Sequence, residues 1–135
     1  MLYTALGGEG VGEAVFQLLY GRACPAGRLA ETWPKRLEDT PAARHWPMGP
    51  DAVTYNESIY VGYRYYDTYN KAVDYPFGFG LSYATFAIDG VNVAKTGANT
   101  AHVTATVTNT SDVDAAETVQ VYVAPGKAAV APPEA

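Results

Sequence analysis

The residues best suited to chemistry lie in a tyrosine-rich segment near the middle of the chain. Eleven tyrosines occur in 135 residues, and eight of them fall between positions 55 and 83. Aromatic rings can lie flat against a sugar ring, or they can anchor a connecting segment on a neighbouring domain. Arg64 could stack on such rings or pair with Glu57 or Asp67. The pattern favours docking over direct substrate contact, and these residues are expected to matter most: Glu57, Tyr63, Arg64, Tyr66 and Asp67.

Two of these residues also raise the question of acid–base chemistry. Glu57 and Asp67 flank the aromatic segment and could be imagined as a general acid and a nucleophile. Such a pair works only inside a pocket that raises one pKa and holds a substrate between the two groups. Nothing in the sequence builds that pocket, so no catalytic residue is assigned.

Two other candidate sites fail on spacing. The glycine-rich stretch near the start lacks the Gly-x-Gly-x-x-Gly pattern that binds dinucleotides, since the third position is Glu13 counted from Gly8 and Val15 counted from Gly10. His45 has no carboxylate or cysteine at ligand spacing, which favours a surface or packing role over catalysis or metal binding. The sequence therefore predicts no cofactor and no metal.

Composition excludes further classes of partner. Nine Lys and Arg against fourteen Asp and Glu give a net charge of −5, and no basic run is present, so we expect no nucleic-acid partner. The apolar runs are far shorter than the ~20 residues that span a bilayer, and the first residues lack a signal-peptide pattern, so we expect no membrane partner. The single cysteine, Cys24, cannot form an internal disulfide.

The first third of the chain reads as a helix followed by a strand. Val11, Val15, Leu18 and Leu19 form a helical apolar stripe, and Gly21 is well placed to end that helix. Residues 29–33 read as a short strand halted by a proline, and residues 38–54 as a loop. One helix and one strand cannot bury both of their apolar faces, so this part resembles the end of an α/β sheet.

The last third has the alternation of an antiparallel β-sandwich. Residues 86–93 predict a strand with a kink at Gly90, residues 102–108 a second strand, and residues 119–123 a third. A sandwich of this kind needs about seven strands. We therefore expect the sandwich to be incomplete within these 135 residues.

Three sequence blocks, in order, resemble glycoside hydrolase family 3 enzymes of the β-glucosidase type. They are GRACPAGRLAETWPKRLEDTP (21–41), YNESIYVGYRYYD (55–67) and YPFGFGLSYATF (75–86). Residues 103–110 and 117–123 resemble the opening strands of the fibronectin type III-like domain of that family. Two departures are minor: Ala30 stands where members often have proline, and Ser58 where they usually have glycine.

The resemblance implies an α/β plus all-β fold in three parts. Residues 1–45 would be the C-terminal end of the α/β sandwich domain, and residues 46–84 a tyrosine-rich linker. Residues 85–135 would be a truncated fibronectin type III-like (immunoglobulin-like) β-sandwich. In the family, the N-terminal barrel supplies the nucleophilic aspartate and the α/β domain usually supplies the acid/base glutamate. Neither carboxylate matches a position of this chain.

Three functional hypotheses follow. In the first, the chain is part of a β-glucosidase-like hydrolase, inactive alone, whose intact form hydrolyses a β-linked glycoside with retention. In the second, it is a carbohydrate-binding module built on the tyrosines and strands. In the third, it assembles with a separately encoded remainder of the hydrolase through its exposed strand edges. The first is favoured, because the resemblance covers nearly the whole chain.

Overall fold

The computed structural model describes residues 1–46 and 51–124, which form two compact units. The first unit contains residues 1–27 and 81–118. The second contains residues 28–80 and the described residues from 119 onward. The predicted loop at 38–54 thus lies partly outside the described residues, as do residues 125–135 of the last predicted domain.

The first unit opens with helix α1, Val11–Leu19, as the apolar stripe predicted. The helix ends as expected at Gly21, which has a φ of +67° and lies just beyond the last helical turn. Its amide donates to the Leu18 carbonyl at 3.2 Å. None of the helical residues is buried, and Leu19 is 67% exposed. The apolar residues of α1 therefore have the helical spacing, but the described residues bury them only in part.

The segment after position 80 is fastened to the region around α1. The Tyr83 hydroxyl donates to the Leu18 carbonyl at 2.8 Å. The Cys24 thiol and the Ser82 hydroxyl lie 3.2 Å apart, within the hydrogen-bond distance for sulfur. Ala84, which follows, is buried. These contacts fix the start of the β-hairpin on its own unit.

The hairpin consists of strands β3, Phe86–Lys95, and β4, Ala101–Asn109, paired antiparallel. Ile88 pairs with Val107 and Val93 with Val103. The register shifts between Asp89 and Asn92, where Gly90 has a φ of +59°. That is the predicted kink, because an extra residue in one strand forms a bulge, and glycine adopts positive φ at little steric cost.

The second unit contains a smaller antiparallel sheet formed by strands β1, Trp33–Pro34, and β2, Val73–Tyr75. The predicted strand at 29–33 was wrong in extent. Leu29 exchanges backbone hydrogen bonds with Phe79 and Gly78, at 2.9 and 2.8 Å, outside this ladder. The Phe77 amide then donates to the Thr32 hydroxyl at 3.2 Å instead of to a backbone carbonyl, which interrupts the ladder before β1.

The second unit also contains helical segments, which lie in stretches predicted to be loop or linker. Two short 3₁₀ turns cover Leu37–Asp39 and Ala43–His45, and helix α2 covers Tyr63–Thr68. The segment predicted as a tyrosine-rich linker, residues 46–84, thus contains a helix that the sequence analysis does not predict. Tyr65 and Tyr69 stand one helical turn apart with ring centroids at 4.9 Å, so ring packing supports the turn that hydrophobic periodicity did not reveal.

The predicted third strand at 119–123 does not form. The described residues from 115 to 124 have no strand assignment, and β3 and β4 pair with each other. An alternating segment becomes a strand only where a sheet edge supplies hydrogen-bond partners. The described part of the chain supplies none to this segment, which packs instead through Gln120 and Tyr122 within the second unit.

Few side chains are fully buried. Among the described hydrophobic residues, the buried set is Tyr60, Tyr66 and Ala84. The apolar face of the hairpin is open: Ile88, Val93, Val103 and Val107 are between 41% and 62% exposed. No helix in the described part of the chain is long and apolar enough to cross a membrane.

Candidate functional site

The candidate site is built on the tight backbone turns that precede α2. Ser58 and Gly62 both have positive φ, at +52° and +57°. The Tyr60 amide donates to the Glu57 carbonyl at 2.9 Å, which closes the first turn. Gly62 is the residue just before α2. Its positive φ is a conformation that most other residues adopt only at a cost, so glycine suits this position. The two turns place Glu57 and Tyr60 in the lining of the same pocket as Tyr65 of α2.

Tyr66 is the best-buried of the five predicted site residues, at 5% exposure. Desolvation raises the pKa of its phenol above 10.0, and the neighbouring Tyr65, Asp39 and Glu57 raise it further. Tyr65 packs edge-on against Tyr66 with ring centroids 5.2 Å apart. Tyr66 is therefore a neutral packing residue, and Glu57 lies close enough to act on it electrostatically.

Tyr63 belongs to a second aromatic group. Its ring lies 5.2 Å from Phe77 and 5.5 Å from Tyr122, the latter in an edge-on geometry. The Tyr122 hydroxyl donates to the side-chain carbonyl of Gln120. The Gln120 amide in turn covers Gly78, where an added Cβ would overlap it. This group, Tyr63, Phe77, Gly78, Gln120 and Tyr122, is called the aromatic clasp below.

The remaining predicted residues do not form the ion pairs that the sequence allowed. Arg64 is exposed and lies over the Tyr63 ring, 5.9 Å from its centroid. Among the described residues no ion pair joins it to Glu57 or Asp67. Asp67 is exposed on α2, whereas Glu57 is half-buried and lines a pocket that Asp67 does not reach. The structure thus brings Glu57 and Tyr66 together and leaves Arg64 and Asp67 on the surface.

The pocket beside Glu57 has a volume of about 160 Å³. It lies between the two 3₁₀ turns, the turn at 56–60 and α2 with the residues that follow it. Lys71 reaches over the Tyr65 ring, with its ammonium nitrogen 5.4 Å from the centroid. The described lining residues are Glu38, Thr40, Pro41, Arg44, His45, Asn56, Glu57, Tyr60, Tyr65, Tyr69 and Lys71.

Most of the lining was missed at the sequence level. Sequence reasoning selected Glu57 and weighed His45 as a surface residue, but it did not associate either with Arg44 or Lys71. Those residues are separated by up to 33 positions from Glu38 and meet only through the fold. The one signal that could have helped is the helical spacing of Tyr65 and Tyr69, which puts both rings on one face of α2.

The chemistry available in this pocket is hydrogen bonding and ring contact. Partial desolvation, together with Tyr65 and Tyr60, raises the pKa of the Tyr69 phenol, while Lys71 lowers it by a smaller amount. The phenol is thus a neutral donor near pH 7. No group of three His, Cys, Asp or Glu side chains within the described residues is placed to hold a metal ion.

The chain matches a known domain family. Residues 1–83 match the glycosyl hydrolase family 3 C-terminal domain, so the chain belongs to that family. This confirms the resemblance inferred from the three sequence blocks.

Individual relatives are similar over most of the chain. An exo-α-(1→6)-L-arabinopyranosidase of Bifidobacterium longum is 60% identical over 134 residues, covering 99% of this chain and 18% of the relative. The crystal structure of a family 3 β-glucosidase from Bifidobacterium adolescentis is 70% identical, with a TM-score of 0.87 over 93% of this chain and 18% of that one.

A more distant structure has a bound sugar. The β-glucosidase of Kluyveromyces marxianus, crystallised in complex with glucose, is 39% identical with a TM-score of 0.69 over 76% of this chain and 12% of that one. The chain therefore spans less than one fifth of the length of these relatives. It corresponds to a segment of a family 3 glycoside hydrolase, as the sequence blocks indicated.

Proposed function

We propose that this chain serves a family 3 hydrolase that removes a terminal, non-reducing sugar, and that its own residues support the catalytic parts instead of supplying them. The observation that carries this is the match over residues 1–83 together with the 70% identical β-glucosidase structure. Retaining hydrolysis needs two carboxyl groups about 5–5.5 Å apart, one attacking the anomeric carbon and one protonating the leaving oxygen. Glu57 is the half-buried carboxylate of the pocket, and Glu38, the other acidic residue of its described lining, is exposed.

The sugar class follows from the two kinds of relative. One is named for β-glucosides and the other for α-L-arabinopyranosides. Both names describe a pyranose whose glycosidic oxygen is equatorial in the ⁴C₁ chair, so one retaining mechanism serves both bonds. We propose that the intact hydrolase acts on an equatorial pyranoside of this kind, with no cofactor.

The three-part organisation is proposed on the same footing. Residues 1–45 would end the α/β domain, residues 46–84 would be the linker, and residues 85–135 would begin a fibronectin type III-like sandwich. Two observations support the last boundary: the family match ends at residue 83, and β3 starts at Phe86. The open apolar face of the hairpin supports a sandwich, since such a sheet is stable in water only when a second layer covers it.

The linker residues are proposed to hold this segment in its folded position. Tyr66 supplies a buried ring and Tyr63 the centre of the aromatic clasp. The Glu57 carboxylate acts electrostatically on Tyr66, and exposed Arg64 lies over the Tyr63 ring. Asp67 is exposed on α2 and belongs neither to the described pocket lining nor to the aromatic clasp, so its contribution should be the smallest of the five.

A chimera tests this function. The segment of the Bifidobacterium adolescentis β-glucosidase that aligns with this chain is replaced by these 135 residues, and aryl β-glucoside hydrolysis is measured. The chimera should be active, whereas the 135-residue chain alone should show no turnover. Tyr66→Ala should abolish the chimera's activity through loss of folded enzyme, and Tyr55→Ala, at a 90% exposed position, serves as the matched control.

Two results would contradict the proposal. One is hydrolysis by the chain alone that disappears in Glu57→Gln. The other is an inactive but correctly folded chimera, which would show that this segment does not serve a β-glucosidase of the family. Parallel assays with an aryl α-L-arabinopyranoside separate the sugar-class proposal from the broader one.

A further inference from the structure

The pocket beside α2 has a balance of charge that selects the type of ligand it could hold. Two carboxylates, Glu38 and Glu57, face two cationic groups, Arg44 and Lys71. Counting the Glu, Arg and Lys side chains, the formal charges of the described lining cancel. A small anion would meet two carboxylates and a small cation would meet two bases, so neither gains a net Coulombic advantage. The balance favours a neutral ligand with both donors and acceptors.

The hydrogen-bonding groups of the lining are varied in a way that fits a polyhydroxylated molecule. Glu57 accepts, Lys71 and Arg44 donate, and the Asn56 amide does both. A vicinal diol presents a donor and an acceptor on each oxygen, so it can use all of these groups together. An aliphatic ligand would offer no hydrogen bond to any polar group that it covers, at a cost of about 1–3 kcal/mol for each group that it removes from water.

The aromatic part of the wall fits the remaining surface of such a molecule. Tyr60, Tyr65 and Tyr69 all line the pocket, and the last two are half-buried with ring centroids 4.9 Å apart at an angle of 52°. Lys71, which also lines the pocket, has its ammonium nitrogen 5.4 Å from the Tyr65 ring centroid. A pyranose has C–H groups on one face that pack against rings while its hydroxyls reach outward.

The size of the pocket limits the ligand to a single ring. About 160 Å³ is half of the roughly 300 Å³ at which pockets for drug-sized ligands begin. A disaccharide or a nucleotide would extend well outside it.

We propose that this pocket, formed by Glu38, Arg44, Glu57, Tyr69 and Lys71 with their neighbours, binds one neutral monosaccharide. The ligand would be held by side-chain hydrogen bonds to vicinal hydroxyls and by ring contact with the α2 tyrosines. No covalent step is involved. The inference stands on the pocket of the 135-residue chain and goes beyond the role of the chain in a hydrolase.

The test is a titration of the 135-residue chain with D-glucose and, separately, with L-arabinose. Trp46, adjacent to His45 at the pocket edge, supplies a fluorescence signal, and amide chemical shifts locate the ligand. A dissociation constant in the millimolar range is expected for so small a ligand. Shifts should concentrate at residues 38–45 and 56–71 and saturate together.

Paired variants show whether the pocket is the site. Glu57→Gln should weaken binding about tenfold, since a hydrogen bond to a charged acceptor is lost. Lys71→Met should weaken it to a similar extent and keeps the apolar stem. Glu13→Gln and Lys35→Met, exposed residues outside the lining, are the matched controls and should leave affinity unchanged. Amide spectra of each variant establish that it is folded.

Three outcomes would overturn the proposal. The first is the absence of saturable shifts with either sugar up to 100-fold above the millimolar range expected for such a ligand. The second is sugar binding that persists unchanged in both Glu57→Gln and Lys71→Met. The third is at least tenfold tighter binding of gluconate than of glucose, which would assign the pocket to anions. None of them alters the chimera experiment, so failure of this proposal is distinguishable from failure of the proposed function.

Discussion

The hairpin of the first unit is rich in backbone hydrogen bonds and poor in buried side chains, whereas the aromatic segment of the second unit is the reverse. The hairpin has a long antiparallel ladder, yet its apolar face is largely exposed. The aromatic segment, residues 55–80, has a short helix and a three-residue strand, yet it contains Tyr60 and Tyr66, which are buried. Backbone pairing and side-chain burial are therefore concentrated in different parts of this chain.

The difference shows what each region needs from its surroundings. Ladder hydrogen bonds contribute little net stability because they replace bonds to water, whereas buried rings remove large apolar areas from it. The aromatic segment should therefore hold its shape through its own side chains. The hairpin should depend on a covering layer, as isolated two-stranded hairpins are marginal in water.

The largest expected effect comes from removing the buried ring of the aromatic segment. Tyr66→Ala should lower the free energy of unfolding by about 3 kcal/mol, because truncating a buried aromatic residue loses both transfer energy and packing. Urea unfolding followed by circular dichroism measures this change. Tyr55→Ala, at an exposed position, should change stability by less than about 0.5 kcal/mol. Equal losses in the two variants would remove the basis of the comparison.

The next effect concerns the aromatic clasp. Gly78→Ala should destabilise the chain by about 2 kcal/mol, mainly because Gly78 has a φ of +79° and to a smaller extent because the new Cβ would displace the end of the Gln120 side chain. In the double variant Gly78→Ala/Gln120→Ala, the loss of stability caused by overlap should disappear. The loss caused by the positive φ of residue 78 should remain.

The control for the clasp is Gly27→Ala. A Cβ added at that glycine would meet open space, and its φ is not positive, so the substitution should be close to neutral in the same unfolding measurement. A Gly78→Ala variant as stable as Gly27→Ala would show that neither the positive φ of Gly78 nor its cover by Gln120 is present in solution.

The hairpin and α1 could be predicted because each has a pattern that reflects one local period. The alternation of valine and threonine predicted β4, and Gly90 indicated the position of the bulge in β3. The apolar spacing with Gly21 fixed both the body and the end of α1. Patterns of period 2 and 3.6 are visible in the sequence because they involve neighbours along the chain.

The pocket, α2 and the fate of residues 119–123 could not be predicted in the same way. The pocket depends on contacts between residues 38–45 and 56–71, which no local period encodes. Helix α2 is stabilised by packing of tyrosines, which are weak helix formers. The valines at 119–123 have a strand pattern, but a strand also needs an edge to pair with, and the pattern does not show whether one is present.

Alkaline pH should destabilise the chain through Tyr66 of the aromatic segment. Desolvation raises the pKa of Tyr66 above its ordinary value of 10.0, so the unfolded chain loses this proton before the folded chain does. The contribution of Tyr66 should be fully present below pH 10 and should be lost as the pH rises through the folded-state pKa. Urea midpoints between pH 9 and 11.5 measure it. The urea midpoint of Tyr66→Phe should fall less steeply with pH than that of the unmodified chain. An equal slope in the two proteins would show that Tyr66 is not the titrating group responsible.

A smaller effect, in the stabilising direction, is expected at the turn before α2. Ser58 has a φ of +52°, where glycine is the favoured residue, and family 3 enzymes usually have glycine there by the resemblance noted above. Ser58→Gly should raise the free energy of unfolding by about 0.5–1 kcal/mol. The substitution relieves backbone strain in the folded chain, and this gain should exceed the free-energy cost of the extra conformational entropy that glycine gives the unfolded chain. Ser111→Gly, at a position without positive φ, is the comparison and should not be stabilising.

The smallest effect is expected on the hairpin, and it is the sharpest test of the comparison. Ile88→Thr should change the stability of the 135-residue chain by less than about 0.5 kcal/mol, because Ile88 is already 49% exposed. In the β-glucosidase chimera the same change should cost about 1–2 kcal/mol, since a covering layer would bury the side chain. Val91→Thr, at a 64% exposed position in the bulge, serves as the control in both backgrounds. Equal small effects of Ile88→Thr in the chain and the chimera would mean that the hairpin face stays open in the intact enzyme, and the sandwich proposal for residues 85–135 would then be wrong.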